Sequence, residues 1–391
     1  LYQVRESGSV ALCPREAEFG RPQCVFGIST YAFVDARSLL CVVHEQGRDR
    51  LARLDLETGG LRDLELPFSE IDGLRVRGGR ACFVGASPSA GPAVYSFELA
   101  GGVLREHRSS LGEAVDLRFV AVPEPIVFEA SDAGPVHAHL YRPTHPGCSA
   151  PAGERPPLLV KSHGGPTGAA STALDLRIQY WTSRGFAVLD VDYRGSSGFG
   201  RAYRERLRGA WGVADVEDCV AAARFAAEQG WVDPQRLAIS GSSAGGYTTL
   251  CALTFHDAFR AGASYYGIGD LEALALDTHK FESRYLDGLV GPYPERRDLY
   301  RARSPVHFAE RLSCPVIFFQ GLEDRVVPPA QAEAMVAALA ERGIPHAYVP
   351  FAGEQHGFRR AESIRAALDG EFHFYARVFG FDACDSMARR E

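Results

Sequence analysis

From about residue 126 onward, short apolar runs of strand length alternate with longer amphipathic segments. Parallel strands need a crossover connection, so this alternation folds into a mostly parallel sheet covered on both faces. We therefore predict an α/β fold for this part of the chain. The predicted strands lie near 158–160, 186–189, 237–239, 262–265, 316–319 and 347–349, and the predicted helices near 174–184, 213–229, 244–255, 329–342 and 361–378.

Residues 1–125 have a different pattern, in which short alternating strands are separated by glycine turns. Two stretches look like copies of each other, because Cys41 and Cys82 are 41 residues apart and so are Leu54 and Tyr95. A repeat of this length with paired strands is typical of β-propeller blades. Two similar hairpins in a β-sandwich are the alternative.

The repeat also bears on domain organisation. A propeller needs about 4–8 blades of ~40–50 residues each, so residues 1–125 hold only the last two to three blades of a partial propeller. The second domain is then 126–391. The chain begins at Leu1 rather than Met, and together with the short propeller this favours the carboxyl-terminal part of a longer protein.

Composition and charge exclude several classes of protein. The chain is 46% hydrophobic and 23% charged, which is typical of a globular protein and not of a disordered one or a coiled coil. The net charge is −7 without a basic run, so a nucleic-acid partner is not expected. No run approaches the ~18 apolar residues of a membrane span, and the nine cysteines include no C-x-x-C pair. We expect a cytoplasmic protein with no metal, cofactor or membrane partner, and assembly into a homo-oligomer is left open.

The strongest chemical motif is the pentapeptide Gly-Ser-Ser-Ala-Gly at 241–245. It directly follows a predicted strand and directly precedes a predicted helix, which is the context of the nucleophile elbow. The strained turn of an elbow projects its central residue, here Ser243, above the sheet. A glycine-rich turn without chemistry is the alternative.

A serine hydroxyl needs a histidine base and an acid that orients the base. In α/β-hydrolases the chain order is serine, acid, histidine. Asp324 and His356 follow the predicted strands near 316–319 and 347–349, at the carboxyl ends where open α/β sheets place their functional groups. Glu323 is an alternative acid.

Two other histidines compete for the role of base. His346 begins a predicted strand and His373 lies in a predicted helix, so packing or helix exposure accounts for both. Backbone amides that stabilise the oxyanion are expected at Gly165, in the His-Gly-Gly-Pro loop at 163–166, and at Ala244. A plain turn is the alternative for that loop.

On these residues the sequence resembles the prolyl oligopeptidase family of serine peptidases. The branch that looks closest contains acylaminoacyl-peptidases and dipeptidyl- or aminopeptidase-like enzymes. The resemblance implies an α/β-hydrolase domain preceded by a β-propeller, here partial, and it implies the same triad of Ser243, Asp324 and His356. The matching segments are 163–166, 192–200, 241–247, 303–305, 321–328 and 356–358.

The sequence departs from the family pattern at two positions. Several members carry a substrate-binding arginine two residues after the catalytic aspartate, where this chain has Val326, and Arg325 is one residue early. Many members have tyrosine where this chain has Ala244. Arg325 is still a substrate-binding candidate, and further candidates are Tyr247, Tyr266 and Glu282, for which core packing or solvent exposure are the alternatives.

These observations predict a serine peptidase that cleaves short peptides or small acyl-amides through an acyl-enzyme. A carboxylesterase is the alternative, because the same machinery cleaves esters. A catalytically silent binding protein on this fold would be expected to lack a triad member, and all three are present.

Overall fold

A computed structural model describes residues 1–21, 26–112, 115–130, 134–278, 280, 282–312 and 314–383. The chain divides into two units. The first comprises 1–123, 167–179 and 196–205, and the second comprises 124–166, 180–195 and 206–391. Each unit contains a hydrophobic core of its own.

The first unit is built from antiparallel strands. They are β1 (Tyr2–Arg5), β2 (Gly8–Ala11), β3 (Tyr31–Phe33), β4 (Ser38–Glu45), β5 (Arg48–Asp55), β6 (Leu61–Asp63), β7 (Glu70–Arg77), β8 (Arg80–Ser87), β9 (Ala90–Glu98) and β10 (Val103–Ser109). β1 and β2 form a hairpin, and the others form two four-stranded sheets, β3 to β6 and β7 to β10, each in sequence order.

The 41-residue repeat corresponds to equivalent strands of these two sheets. Cys41 and Leu54 lie on the second and third strands of one sheet, and Cys82 and Tyr95 lie on the second and third strands of the next. Successive four-stranded antiparallel sheets with this repeat are propeller blades. The prediction of an all-β region of propeller type is therefore confirmed.

The second unit is built on an eight-stranded sheet. Its strands are β11 (Glu124–Glu129), β12 (Pro135–Tyr141), β13 (Leu158–Ser162), β14 (Ala187–Asp192), β15 (Leu237–Ser242), β16 (Ala261–Tyr265), β17 (Val316–Gly321) and β18 (His346–Phe351). The order is β11-β12-β14-β13-β15-β16-β17-β18. β11, β12 and β14 pair antiparallel, and every pair from β14 to β18 is parallel.

Both faces of this sheet are covered. Successive residues of a strand point to opposite faces, and every residue of β14 and of β17 is buried. The predicted α/β-hydrolase architecture is thus confirmed. Because β15 to β18 run parallel, their carboxyl ends lie at one edge of the sheet, where the predicted catalytic residues follow them.

The helices include the five that the periodicity predicts and four short ones that it does not. They are α1 (Leu176–Thr182), α2 (Gly200–Glu205), α3 (Ala214–Glu228), α4 (Ala244–Phe255), α5 (Leu271–Asp277), α6 (Tyr285–Leu289), α7 (Arg297–Ala302), α8 (Ala330–Glu341) and α9 (Ala361–Phe379). Among the described residues, no helix combines the length and the apolarity needed to cross a membrane.

Candidate active site

Ser243 lies in the turn between the end of β15 and the start of α4. Its φ of 56° and ψ of −121° are values that residues with a side chain rarely adopt, and such strain persists only where the surroundings enforce it. A Cβ on Gly241 would collide with the Gly245 carbonyl, and one on Gly245 would collide with the Ser162 carbonyl. Glycine at both positions therefore lets the helix begin this close to the sheet, as the elbow requires.

The structure brings Ser243, His356 and Asp324 together. His356 Nε2 is 2.9 Å from Ser243 Oγ, and His356 Nδ1 is 2.7 Å from Asp324 Oδ2. The second oxygen of Asp324 accepts hydrogen bonds from the amides of Val326 and Val327, at 2.8 and 2.9 Å. The Asp324 side chain is fully buried, whereas the His356 side chain is 22% exposed. The carboxylate is thus fixed on both sides, and Nε2 of the ring faces the serine hydroxyl.

The loops that carry Asp324 and His356 are tied to each other. The Glu323 amide donates to the Glu354 carbonyl at 2.9 Å. The Glu354 carboxylate accepts the amides of Arg359 and Arg360, both at 3.0 Å, and Glu354 is only 2% exposed. Sequence reasoning missed this buried glutamate. Its position two residues before His356 in a loop is the only signal for it in the sequence.

The alternative acid and bases lie elsewhere. The side chain of Glu323 is exposed. His346 Nδ1 is 2.8 Å from the Ile344 carbonyl at the start of β18. His373 lies on α9, with its ring 5.9 Å from the ring of Phe372.

The predicted oxyanion loop lies against the elbow. A Cβ on Gly164 would be 3.5 Å from Ser243 Cβ. Gly165 has a φ of 62°, which glycine adopts without strain. Ala244 is the first residue of α4, and the amides of the first helical turn have no partner within the helix.

Tyr193 contacts this loop through both its hydroxyl group and its ring. The tyrosine is fully buried, its hydroxyl donates to the His163 carbonyl at 3.1 Å, and the two rings stack at 4.2 Å. Burial raises the pKa of Tyr193 well above its usual value, so the hydroxyl keeps its proton and remains a donor. In the sequence, Tyr193 stands out only as part of the matching segment 192–200.

The two tyrosines predicted to bind substrate have different surroundings. Tyr247 is fully buried, its hydroxyl donates to the Arg303 carbonyl at 2.9 Å, and its ring lies 4.6 Å from that of Trp211. A ring without exposed surface packs the core, so this residue fits the packing alternative and not a pocket. Tyr266 is half-buried and its ring centroid lies 4.8 Å from that of His356.

The two charged candidates lie in turns. Glu282 is half-buried and precedes α6, where its carbonyl accepts the Tyr285 amide at 2.9 Å. Arg325 is exposed and follows Asp324 directly, in the turn whose amides hold the aspartate. Substrate contacts for both stay predictions.

A strained serine turn, a histidine and a buried aspartate, placed after parallel strands in that chain order, define the class of α/β-hydrolases. Comparison with known proteins agrees with this class. Residues 172–382, more than half of the chain, match the prolyl oligopeptidase family. The chain belongs to the prolyl oligopeptidase family.

Individual relatives are similar over parts of their length. The chain is 43% identical to the solved structure of a puromycin-hydrolysing peptidase of Mycobacterium tuberculosis, with a TM-score of 0.94 over 98% of this chain and 59% of that one. It is 33% identical to dipeptidyl aminopeptidase BIII of Pseudoxanthomonas mexicana over 57% of this chain and 33% of the relative. It is 29% identical to an acylamino-acid-releasing enzyme of Arabidopsis thaliana over 54% of this chain and 29% of the relative. The chain thus spans about a third of the length of these two curated relatives.

Proposed function

We propose that this chain is a serine-type peptidase that hydrolyses short peptides through an acyl-enzyme. Ser243 is the nucleophile, His356 the general base and Asp324 the acid that orients the base. The observation that carries the proposal is the pair of hydrogen bonds at 2.9 and 2.7 Å that joins the three side chains. Membership of the prolyl oligopeptidase family supports it.

The proton moves along this hydrogen-bonded line. As Ser243 Oγ attacks the carbonyl carbon, His356 Nε2 takes the hydroxyl proton and then gives it to the departing amine. Water next attacks the serine ester and gives one proton to His356, which returns it to Ser243 as the acid product leaves. Asp324 stays ionised throughout and stabilises the imidazolium.

Two backbone amides stabilise the negative oxygen that forms during each attack. We assign these donors to Gly165, which follows the Gly164 that lies against Ser243, and to Ala244, the first residue of α4. A donor of this kind contributes about 3 kcal/mol to the transition state. Tyr266, whose ring lies next to His356, is proposed to form a wall of the substrate pocket.

The relatives support a proposal for the substrate class. Their names include a dipeptidyl aminopeptidase, an acylamino-acid-releasing enzyme and a puromycin-hydrolysing peptidase. We therefore propose short peptides or small acyl-amides, with the aminopeptidase, dipeptidyl-peptidase and acylaminoacyl-peptidase types as the choices. A cytoplasmic location stays a prediction that cell fractionation tests.

The test replaces Ser243 and compares it with its neighbour. The Ser243→Ala variant should lower kcat on aminoacyl, dipeptidyl and N-blocked p-nitroanilides, and on puromycin, by roughly 10⁴-fold to 10⁶-fold, because the nucleophile is lost. Ser242→Ala removes a hydroxyl one residue away and should keep most of the turnover. Undiminished turnover in Ser243→Ala would overturn the proposal. Turnover of p-nitrophenyl esters without turnover of any amide would instead favour a carboxylesterase.

A further inference from the structure

Glu371 is an acid inside the core of the second unit. It lies on α9, is only 2% exposed and has no part in the proposed proton transfers. Burying a carboxyl group is costly unless polar partners compensate for the lost water. The contacts of Glu371 are therefore informative about the role of this buried carboxyl.

One hydroxyl group donates a hydrogen bond to this carboxyl. Tyr265, the last residue of β16, donates to Glu371 Oε2 at 2.5 Å. Burial raises the pKa of Glu371, and the hydroxyls of Tyr265, Ser240 and Tyr375 act in the opposite direction. Ser240 lies on β15, three residues before the proposed nucleophile. The hydrogen bond from Tyr265 thus joins α9 to β16, which pairs with the strand that leads into the elbow.

The backbone of Tyr265 holds the nucleophile. Its carbonyl accepts the Ser243 amide at 2.9 Å, and its ring stacks on Phe319 at 4.6 Å. Ser243 has a strained backbone, which persists only if its surroundings restrain it. This hydrogen bond is one such restraint, and it is made by the backbone of the residue whose hydroxyl bonds to Glu371.

The next residue along the chain contacts the base. Tyr266 has a φ of 40°, donates its amide to the Phe319 carbonyl at 2.7 Å and places its ring 4.8 Å from that of His356. Two consecutive residues, 265 and 266, therefore contact the nucleophile and the base. Glu371 holds the first of them.

We infer that Glu371 is a positioning residue, which anchors the Tyr265 hydroxyl and thereby holds Ser243 and His356 in reacting geometry. The inference rests on the proposed function, because it concerns the alignment of that triad. Misplacement of reacting groups by about 1 Å costs on the order of 100-fold in rate. Loss of this hydrogen bond should therefore slow the chemical step more than it weakens substrate binding.

The test removes either end of the hydrogen bond. Tyr265→Phe and Glu371→Leu should each lower kcat about 10-fold or more, with KM within about twofold of the wild type. Labelling of Ser243 by a fluorophosphonate should slow in parallel. Glu371→Gln keeps an acceptor oxygen and should restore most of kcat. The double variant should be no slower than the worse single variant, since both changes break the same contact.

A tyrosine bonded to the same helix is the matched control. Tyr180 donates its hydroxyl to Asp369 on α9 at 2.7 Å, so Tyr180→Phe removes a comparable hydrogen bond. It should lower the thermal midpoint while kcat stays unchanged. If Tyr265→Phe gives this same result, with kcat within twofold of the wild type, Glu371 has only a structural role and the inference is wrong. Tyr265→Phe removes a single oxygen, so it decides the question even if Glu371→Leu does not fold.

The two proposals fail in different ways. Activity that survives in Ser243→Ala overturns the proposed function and the inference with it. An inactive Ser243→Ala beside a fully active Tyr265→Phe overturns only the role of Glu371.

Discussion

Asp215 is a fully buried carboxyl on α3. It accepts the Gly212 amide at 2.7 Å and the Thr248 hydroxyl at 2.5 Å. Burial nevertheless raises its pKa from 3.8 to about 6, although both hydrogen bonds act in the opposite direction. The folded state therefore holds this proton more tightly than the unfolded state does. The contribution of Asp215 to the free energy of unfolding is fully present below pH 3.8 and is lost as the pH rises through about 6.

Replacing Asp215 with asparagine should remove this pH dependence. The shift from 3.8 to about 6 corresponds to on the order of 3 kcal/mol. The free energy of unfolding of Asp215→Asn should therefore increase, relative to that of the wild type, when the pH is raised from about 4 to about 7. Urea unfolding at both pH values measures this change. Asp257→Asn, whose carboxyl is 94% exposed, controls for the loss of one charge. Parallel pH profiles for Asp215→Asn and the wild type would contradict the prediction.

The contact between α4 and β13 depends on a glycine. The Ser162 hydroxyl donates to the Gly245 carbonyl at 2.8 Å, and a Cβ on Gly245 would meet the backbone carbonyl of Ser162. Backbone cannot move aside as a flexible side chain can. Gly245→Ala should therefore push the helix off the sheet, lower the free energy of unfolding by about 1–3 kcal/mol and slow fluorophosphonate labelling of Ser243.

A glycine in another helix serves as the control. Gly288 lies in α6, and a Cβ there would meet no atom within 4 Å. Gly288→Ala should leave labelling unchanged and raise stability by up to about 1 kcal/mol, because alanine favours the helix. Equal losses in the two variants would show that the close approach at Gly245 does not determine the effect.

The sequence predicts the long elements of the second unit well. The pattern predicts helices at 244–255 and 361–378, and the structure has Ala244–Phe255 and Ala361–Phe379. The short helices α5, α6 and α7 were missed because five to seven residues hold too few turns for a period to show.

The site was predictable where chemistry constrains chain order. The elbow motif and the order serine, aspartate, histidine led to the three side chains that meet in the structure. The contact between Tyr265 and Glu371 was not predictable, because these residues are 106 positions apart. No local sequence pattern predicts which buried tyrosine a given buried acid will contact. Tyr247 shows the converse, since a tyrosine next to the elbow motif looks functional until its burial is known.

At the scale of the whole molecule, each unit carries both an exposed and a buried cysteine. Cys82 in the first unit and Cys148 in the second are exposed, whereas Cys41 and Cys251 are buried. Burial raises the pKa of Cys41 to about 12 and that of Cys251 well above its usual value. The thiolate is the reactive form, so the two buried thiols are protected by their protonation as well as by lack of access.

Thiol labelling should therefore report on each core separately. In native buffer, iodoacetamide should modify Cys82 and Cys148 at least about 10³-fold faster than Cys41 and Cys251, because the buried thiols react only after an opening that costs several kcal/mol. Mass spectrometry of the individual peptides measures each rate. Repeating the labelling at increasing urea concentration gives the unfolding midpoint of the first unit from Cys41 and of the second from Cys251. Modification of Cys41 as fast as that of Cys82 in native buffer would mean that the blade core opens readily, contrary to its full burial.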